Sequence, residues 1–444
     1  MRQDPYGPNF LLIAAVSALP AYLAQTRDRW RPHGARQVCH LIFIRLLILA
    51  QTSKRIVSGM KNGIKTDGLL YQLLSSLHRL LSFPPSALRC SLAGIGMAFT
   101  MACALPAQPQ GGPAMSGQAY APYRILSIHK LGGQGGWDYL AANASTRELY
   151  IARSGPTGAL HVYNLDTLKP IATIPIGTVH GAAIDNATHH GFATGSQVIM
   201  FDSLTHHIIK TIAIGGRPDG YLDDPITHHV YIFSHAEPNV TALDAVTGEI
   251  LGTVNLGGEP EQSQLDGQGH LFLDVENKDR IAVVDTRSLK LLANYDVSSV
   301  GGGCSGLAID ADRGVLFAAC NDKHIMVILR SSDGKILTTL PIGAGCDGAL
   351  FNPATQEAYS TQADGTLTVT QESLAPDAPL FGSAFRVEQT LKTQPGARTI
   401  TFDPNTGRIF TATADFEPTP AGQAVHHHDR VPLPGSFRLL VIGR

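Results

Sequence analysis

The stretch IKTIAIGG at residues 209–216 is one of four similar segments, and their recurrence decides the fold. The others are IATIPIG (171–177), ILGTVNLGG (250–258) and ILTTLPIG (336–343). Each is a short run of β-forming residues that closes on glycine, which is typical of a strand followed by a turn. Their recurrence along the chain indicates a repeat architecture.

The repeat length follows from the expected starts of the first strand in each unit. These starts are residues 137, 179, 218, 260, 304, 346 and 397, so the steps are 42, 39, 42, 44, 42 and 51 residues. Third strands also match, because HVYNLDT, VIMFDS, VTALDA and IAVVDT place Asp166, Asp202, Asp244 and Asp285 at corresponding positions. Seven units of about 40 residues with four short strands each predict an all-β, seven-bladed β-propeller.

The ends of the repeat region predict how the ring closes. The last unit, with ARTITFDPNTGRIFTATADF (397–416) and SFRLLVIGR (436–444), supplies three strands. The segment YRILSIHKLGG (123–133) has a fourth-strand pattern, so we expect this N-terminal strand to complete the last blade and protect the sheet edges. Two stacked β-sandwich domains would also show alternating strand patterns. They would not explain the step of about 42 residues between units or the additional N-terminal strand.

Charge divides the chain into two segments. Residues 1–107 hold 12 Lys and Arg against 3 Asp and Glu, whereas residues 108–444 hold 22 against 33. The acidic balance of the larger segment argues against nonspecific binding of nucleic acid, which requires a cationic face.

The basic segment contains a secretory signal pattern. Arg89 precedes the apolar, small-residue stretch CSLAGIGMAFTMACALPAQ, which predicts a signal peptide at 89–107 with cleavage near Ala104 or Ala107. Its core is too short and too rich in glycine for a stable transmembrane span. Lipidation at Cys103 is an alternative, although the preceding residues lack the usual leucine. We therefore expect a periplasmic or secreted protein.

The expected division of the chain is a basic leader at 1–88, the signal peptide, a linker at 108–121 and the propeller at 122–444. A signal peptide that begins so far into the chain suggests that the start codon is assigned too early, or that the leader is disordered. The apolar patch FLLIAAVSALPAYLA (10–24) offers a membrane anchor as the alternative.

Several motifs resemble one known family across residues 122–444. GGRPDG (215–220), GGEPEQ (257–262), YIARS (150–154) and VYIFSH (230–235) are similar to the YVTN-repeat propellers, specifically the YncE-like bacterial proteins. The resemblance implies a seven-bladed, exported, WD40-like propeller, in a family where most members have no established activity. The sequence departs from the pattern at Cys304 and Cys346, which replace proline, in the sixth unit and in the insertion of the seventh.

The turns before the first strands predict a site on one rim of the axial channel. Because the first strand of each blade lines the channel, equivalent residues converge there. A cation or a cationic small molecule fits such a ring, with Ca²⁺ or Mg²⁺ favoured by oxygen ligands and a transition metal by histidine. Alternatively, the acids cap turns or bond backbone amides. Ser305 shares the ring position of the ligand-binding candidates, which are Trp137, Asp138, His180, Asp219, Glu261, Asp347 and Arg398.

Trp137 is expected either to stack against a ligand or to pack between blades. The last blade's insertion carries His426, His427 and His428 beside Asp429, and adjacent histidines in a loop can chelate metal. The metal-ligand candidates are therefore His180, Asp347, His426 and His428, and a divalent metal ion is the one cofactor considered. The histidine pairs at 189/190, 206/207 and 228/229 are expected in surface turns on the opposite face.

Three cysteines, Cys304, Cys320 and Cys346, follow the expected cleavage site. Export permits a disulfide, and Cys304 and Cys346 occupy matching positions in neighbouring blades, so we predict a bond between them. Cys320, on a second strand, is expected to be buried.

No G-x-S-x-G, P-loop or H-E-x-x-H motif is present in the sequence. We therefore predict a non-catalytic, monomeric binding protein for an unknown small molecule or protein. One alternative is a propeller enzyme, either a lactonase-like hydrolase or a metal- or quinone-linked oxidoreductase, for which fold analogy is the only support. The other is a scaffold for protein partners, which would expose an apolar patch.

Overall fold

The computed structural model describes residues 121–373, 382–418 and 430–444. These residues form seven four-stranded antiparallel sheets arranged in a ring, which confirms the predicted all-β, seven-bladed propeller. The basic leader, the signal peptide and nearly all of the linker lie outside the described residues. Within those three ranges, no helix has the length and apolar character that crossing a bilayer requires.

The first strand in the chain, β1 (Arg124–Lys130), belongs to the last blade, and the others follow in chain order. Blade 1 consists of β2 (Trp137–Asn143), β3 (Glu148–Arg153), β4 (Ala159–Asn164) and β5 (Pro170–Ile174). Blade 2 consists of β6 (Val179–Asp185), β7 (His190–Gly195), β8 (Val198–Asp202) and β9 (Ile208–Ile212). Blade 3 consists of β10 (Pro218–Asp224), β11 (His229–Ser234), β12 (Val240–Asp244) and β13 (Ile250–Val254).

Blades 4 to 7 consist of β14 (Pro260–Leu265), β15 (His270–Val275), β16 (Arg280–Asp285) and β17 (Lys290–Asp296); β18 (Cys304–Asp310), β19 (Val315–Cys320), β20 (Ile325–Arg330) and β21 (Ile336–Pro341); β22 (Cys346–Asn352), β23 (Glu357–Gln362), β24 (Thr366–Glu372) and β25 (Phe385–Lys392); and β26 (Ile400–Asp403), β27 (Arg408–Thr413) and β28 (Arg438–Gly443) with β1. Six of the seven first strands begin at the predicted residue, and β26 begins at Ile400 instead of 397.

The first strand of each blade lies innermost, because it contacts the first strands of both neighbouring blades. At the other side of blade 7, β1 pairs antiparallel with β28, with Ile128 opposite Leu440 and Lys130 opposite Arg438. The N-terminal strand is therefore the outermost strand of the last blade. The two ends of the propeller are thus joined by a backbone ladder.

Turns between the third and fourth strands are held by a side-chain acceptor. Asp202 Oδ1 accepts hydrogen bonds from the backbone nitrogens of Leu204 (2.9 Å) and Thr205 (2.7 Å), which is an Asx-type turn. In blade 1 the residue in this role is Asn164. The assignment of Asp166 as the equivalent of Asp202 is therefore wrong by two residues, and Asp166 pairs instead with Arg147.

Blades pack on one another through apolar layers. Between blades 5 and 6, the buried ring of Phe317 stacks on Phe351 with centroids 5.6 Å apart and meets Phe385 edge-on at 5.9 Å. Full burial of such a side chain stabilises the fold by about 1.5–3 kcal/mol. These layers fix the blades around the axis and so determine which rim residues meet.

A disulfide joins Cys304 in β18 to Cys320 in β19, so the predicted bond between Cys304 and Cys346 is wrong. The physical reason is register: Cys304 and Cys320 are direct partners across two antiparallel strands of one blade. Cys346 is a free, buried thiol in the next blade and lies 3.6 Å from the carbonyl of Gly348. The expected burial of Cys320 is confirmed.

We expect Cys320→Ala to lower the free energy of unfolding by about 3 kcal/mol, because the bond closes a loop of 16 residues. Urea denaturation monitored by tryptophan fluorescence measures this loss. Cys346→Ala is the matched control, since it removes a buried thiol without opening the loop. A peptide map of the oxidised protein that showed Cys346 in the crosslink would contradict the assignment.

Candidate functional site

Six of the seven ring positions lie at β-bulges. In each of these first strands the pairing register shifts just after the first residue. A bulge leaves the extra residue without a ladder partner and re-aims its side chain, which is why bulges recur beside functional sites. The residues released from the ladder at these shifts include Asp138, His180, Asp219, Glu261, Ser305 and Asp347.

His180 joins the carboxylates of the two neighbouring blades. Its Nδ1 lies 2.8 Å from Asp138 Oδ2 in blade 1 and 2.9 Å from Asp219 Oδ1 in blade 3. Only the contact with Asp138 has the alignment of a hydrogen bond, and Asp219 Oδ1 is buried without a hydrogen-bond partner. Three of the predicted residues are therefore in direct contact.

His235 extends this group and was missed by the sequence reasoning. It follows β11, and its Nε2 lies 3.0 Å from Asp219 Oδ2 and 2.9 Å from Glu261 Oε1. Its Nε2 is buried but aligned with neither oxygen as a hydrogen bond. The available signal was its place in VYIFSH, at the start of a connection between second and third strands. Such connections open on the same face as the ring. We call Asp138, His180, Asp219, His235 and Glu261 the axial cup.

The remaining ring positions form a second group. Arg398 Nε donates to Asp347 Oδ2 at 2.6 Å, and its Nη2 donates to the carbonyl of Trp137 at 3.3 Å. Ser305 Oγ donates to the carbonyl of Cys346 at 2.8 Å, so this hydroxyl serves the backbone. Asp347, predicted as a metal ligand, is thus occupied by an arginine on the neighbouring blade.

Trp137 is buried, with 4% of its surface exposed. Its ring packs against Phe437 and Phe416, at centroid distances of 5.3 and 6.0 Å, and Arg398 lies over it at 5.4 Å. Of the two expected roles, the structure therefore shows packing. No face of the ring is free to stack against a ligand.

Aromatic and amide side chains lie beside the cup along the channel. Tyr139 donates to Glu261 Oε2 at 3.4 Å and meets Tyr221 edge-on at 6.0 Å. A Cβ at residue 181 would lie 1.9 Å from Tyr221 Cε1, so glycine there makes room for that ring. Gln262 crosses to blades 5 and 6, where it bonds the backbone of Leu307 and Ala349. These contacts hold Glu261 in place, as outer-shell partners do at metal sites.

Two further acidic side chains are linked to Glu261 electrostatically: Asp274 interacts with Glu261 and also with Glu276. Asp274 in β15 is fully buried, and both of its carboxyl oxygens lack a hydrogen-bond partner. Burial, together with Glu261 and Glu276, raises the pKa of Asp274 well above its usual range. Burial also raises the pKa of Glu276, with a contribution from Asp347. A raised pKa favours the protonated, uncharged form of each of these two acids.

The pKa of each carboxyl group in the cup depends on how many imidazoles it contacts. Burial opposes the charged form of each histidine, but the adjacent carboxylates outweigh it and raise the pKa of His180 and of His235 to about 10. Burial acts to raise the pKa of Asp219 as well, yet two imidazoles hold it well below its usual range. Asp138 and Glu261 meet one imidazole each, so burial prevails and raises their pKa to about 6 and about 8.

No protein-family model matches this chain, and no curated protein matches it. What is shown about its class is therefore the seven-bladed propeller itself.

The cup supplies two sets of three metal-ligand side chains. Asp138, His180 and Asp219 form one set, and Asp219, His235 and Glu261 form the other. Within each set, one ligand atom from each residue lies within 4.8 Å of the others. Imidazole together with carboxylate suits first-row transition metals, whereas Ca²⁺ and Mg²⁺ prefer oxygen alone.

Two other predicted metal ligands, His426 and His428, fall outside the described residues. The turn histidines form contacts within the protein: His228 Nδ1 lies 3.1 Å from Asp185 Oδ2, and His206 Nε2 lies 3.1 Å from Glu148 Oε1. A cavity of about 490 Å³ between blades 4 and 5 is lined by residues such as His270, Phe272 and Arg313 and includes none of the cup residues.

Proposed function

We propose that the protein is an exported β-propeller of the YVTN-repeat kind that binds a divalent transition-metal cation in the axial cup. One observation carries this proposal: Asp219 lies between His180 and His235, and each imidazole also contacts a second carboxylate. The proposed role is binding, since the contacts among the described residues assemble metal ligands and the sequence contains no G-x-S-x-G, P-loop or H-E-x-x-H motif.

Charge supports a cation in particular. The cup holds three carboxyl groups, and burial together with Glu261 and Glu276 raises the pKa of the further acid Asp274. The arginine of the ring, Arg398, is paired with Asp347. Crowded carboxylates are costly unless protons, a cation or an opposite charge intervene. A bound metal ion replaces the protons that the histidines and acids hold in its absence.

Export is supported by two independent features. The signal pattern at 89–107 precedes the propeller, and the Cys304–Cys320 disulfide is of the kind that persists in oxidising compartments. The sequence motifs of YVTN-repeat proteins support the same location.

Calorimetric titration of the chelator-treated protein with Zn²⁺ and with Mn²⁺ tests the proposal. We expect binding to the wild type and a loss of more than about 100-fold in affinity for Asp219→Ala, since removing an outer-shell partner alone costs about 10–100-fold. His228→Gln is the matched control, because it removes a histidine–aspartate contact on another part of the propeller. The triple variant with His426, His427 and His428 replaced by alanine accounts for any metal bound by these three adjacent histidines. Equal affinity in Asp219→Ala and the wild type would sink the proposal.

A further inference from the structure

We infer that the axial cup holds two cations, bridged by the carboxylate of Asp219. This inference rests on the proposed function and adds the number of ions and the role of each ligand. The geometry behind it is that the two oxygens of Asp219 serve different histidines. Oδ1 lies 2.9 Å from His180 Nδ1, and Oδ2 lies 3.0 Å from His235 Nε2.

The two halves of the cup share a residue but share no ligand atom. Asp138 Oδ2, His180 Nδ1 and Asp219 Oδ1 belong to blades 1 to 3. Asp219 Oδ2, His235 Nε2 and Glu261 Oε1 belong to blades 3 and 4. Each half therefore offers one nitrogen and two oxygens to its own ion. A carboxylate that binds through both oxygens holds two ions at the separation of about 3.5–4 Å found in two-metal sites.

The distances suit coordination. Ligand atoms about 2.1 Å from an ion and at right angles to each other lie about 3.0 Å apart. The four contacts between histidine nitrogens and carboxylate oxygens measure 2.8, 2.9, 3.0 and 2.9 Å. The same distances between these two nitrogens and four oxygens also fit hydrogen bonds, so the alignment of the atoms decides between coordination and hydrogen bonding.

Alignment favours an ion in each half, because each half contains one buried ligand atom without a hydrogen-bond partner. His235 Nε2 and Asp219 Oδ1 are buried and have no hydrogen-bond partner, although each has an opposite-type atom within 3.0 Å. A nitrogen that points between two carboxylate oxygens, and at neither, is oriented as a ligand of an ion that all three share.

The protein provides three ligands to each ion. Transition-metal sites with three protein ligands retain open positions, which water or an oxygen ligand fills. The three carboxylates of the cup carry fewer negative charges than two divalent ions carry positive charges. A water-derived or other anionic oxygen ligand completes the balance.

Mn²⁺ is the probe that separates one ion from two. The chelator-treated protein is titrated with Mn²⁺, bound metal is measured by elemental analysis, and low-temperature electron paramagnetic resonance reports coupling between ions. We expect two equivalents for each chain and an exchange-coupled signal. Asp138→Ala and Glu261→Ala are each expected to retain one equivalent with an uncoupled six-line signal. The triple variant at 426–428 serves as the control and keeps two equivalents.

The outcomes separate this inference from the proposed function. One equivalent in the wild type, with an uncoupled signal, overturns the bridged pair and leaves a cation-binding cup. No cup-dependent binding at all overturns both. Because the wild type alone decides the number of ions, a half-cup variant that fails to fold does not remove the test.

Discussion

Replacing Glu357 with alanine is expected to lower the free energy of unfolding by about 3–5 kcal/mol, the cost of breaking a buried charged network. Glu357 in β23 is fully buried. Its Oε2 accepts hydrogen bonds from Tyr123 (2.9 Å) and Tyr359 (2.8 Å), and its Oε1 pairs with Arg444. Tyr123 precedes β1 and Arg444 follows β28, so one carboxylate of blade 6 holds both strands that close the ring. Urea denaturation measures the loss.

Limited proteolysis shows whether the loss of stability in Glu357→Ala comes from weaker closure of the ring by β1 and β28. In Glu357→Ala we expect faster cleavage before residue 137, because β1 is held by this contact and by its ladder with β28. Glu372→Ala is the matched control: it removes another buried acid of blade 6, which pairs with Arg313 and touches neither end of the chain. Equal cleavage in the two variants, or a loss below about 1 kcal/mol in Glu357→Ala, would show that the ends are held in some other way.

The fold could be predicted because the same strand and turn pattern recurs in each blade of a propeller. Turn glycines and alternating strands recur in each blade, so an error in one unit is corrected by the others, and six first strands begin where the spacing places them. Predictions that depended on one pair of strands were weaker. The disulfide depends on the strand register within blade 5, which places Cys304 opposite Cys320. Aligning one blade with another compares equivalent positions and does not reveal the pairing of strands within a blade.

The candidate site was predictable only in part, for a related reason. Equivalent positions on the first strands identified Asp138, His180 and Asp219, since the fold symmetry brings them together. His235 has no counterpart in the repeat pattern, because it enters from a connecting loop whose path no spacing determines. The pairing of Arg398 with Asp347 likewise depends on contacts between blades, which assign one acid to an arginine and leave the others to the histidines.

Without metal, the propeller is expected to lose stability steadily as pH rises from about 6.5 to about 10. The pKa of His180 and of His235 is raised to about 10 by the carboxylates beside them, against the effect of burial. A folded-state pKa above the unfolded value of about 6.5 means that the stabilisation is fully present below pH 6.5 and is lost as pH passes 10. Because 36% of the His180 side chain and 22% of the His235 side chain are exposed, solvent screening reduces the effect to on the order of 1 kcal/mol for each histidine.

The acids of the cup do not reverse this trend. Burial raises the pKa of Asp138 to about 6 and of Glu261 to about 8, so their ionisation also costs stability as pH rises. Asp219, whose pKa is held low by both imidazoles, contributes a constant amount above about pH 4. Tyr139, the neighbouring phenol, has its pKa raised well above 10 by burial and by these acids, so its cost appears only at higher pH.

Thermal melting between pH 6 and 10 in the presence of a chelator measures how the melting temperature changes with pH. We expect the melting temperature of the wild type to fall across this range. In the double variant His180→Gln, His235→Gln it should fall less, since glutamine keeps polar contacts but does not titrate. His228→Gln keeps the wild-type slope, because its partner Asp185 lies outside the cup. If the double variant and the wild type fall in parallel, the cup histidines are neutral in the folded protein, and the carboxylates around them must be relieved by protons of their own.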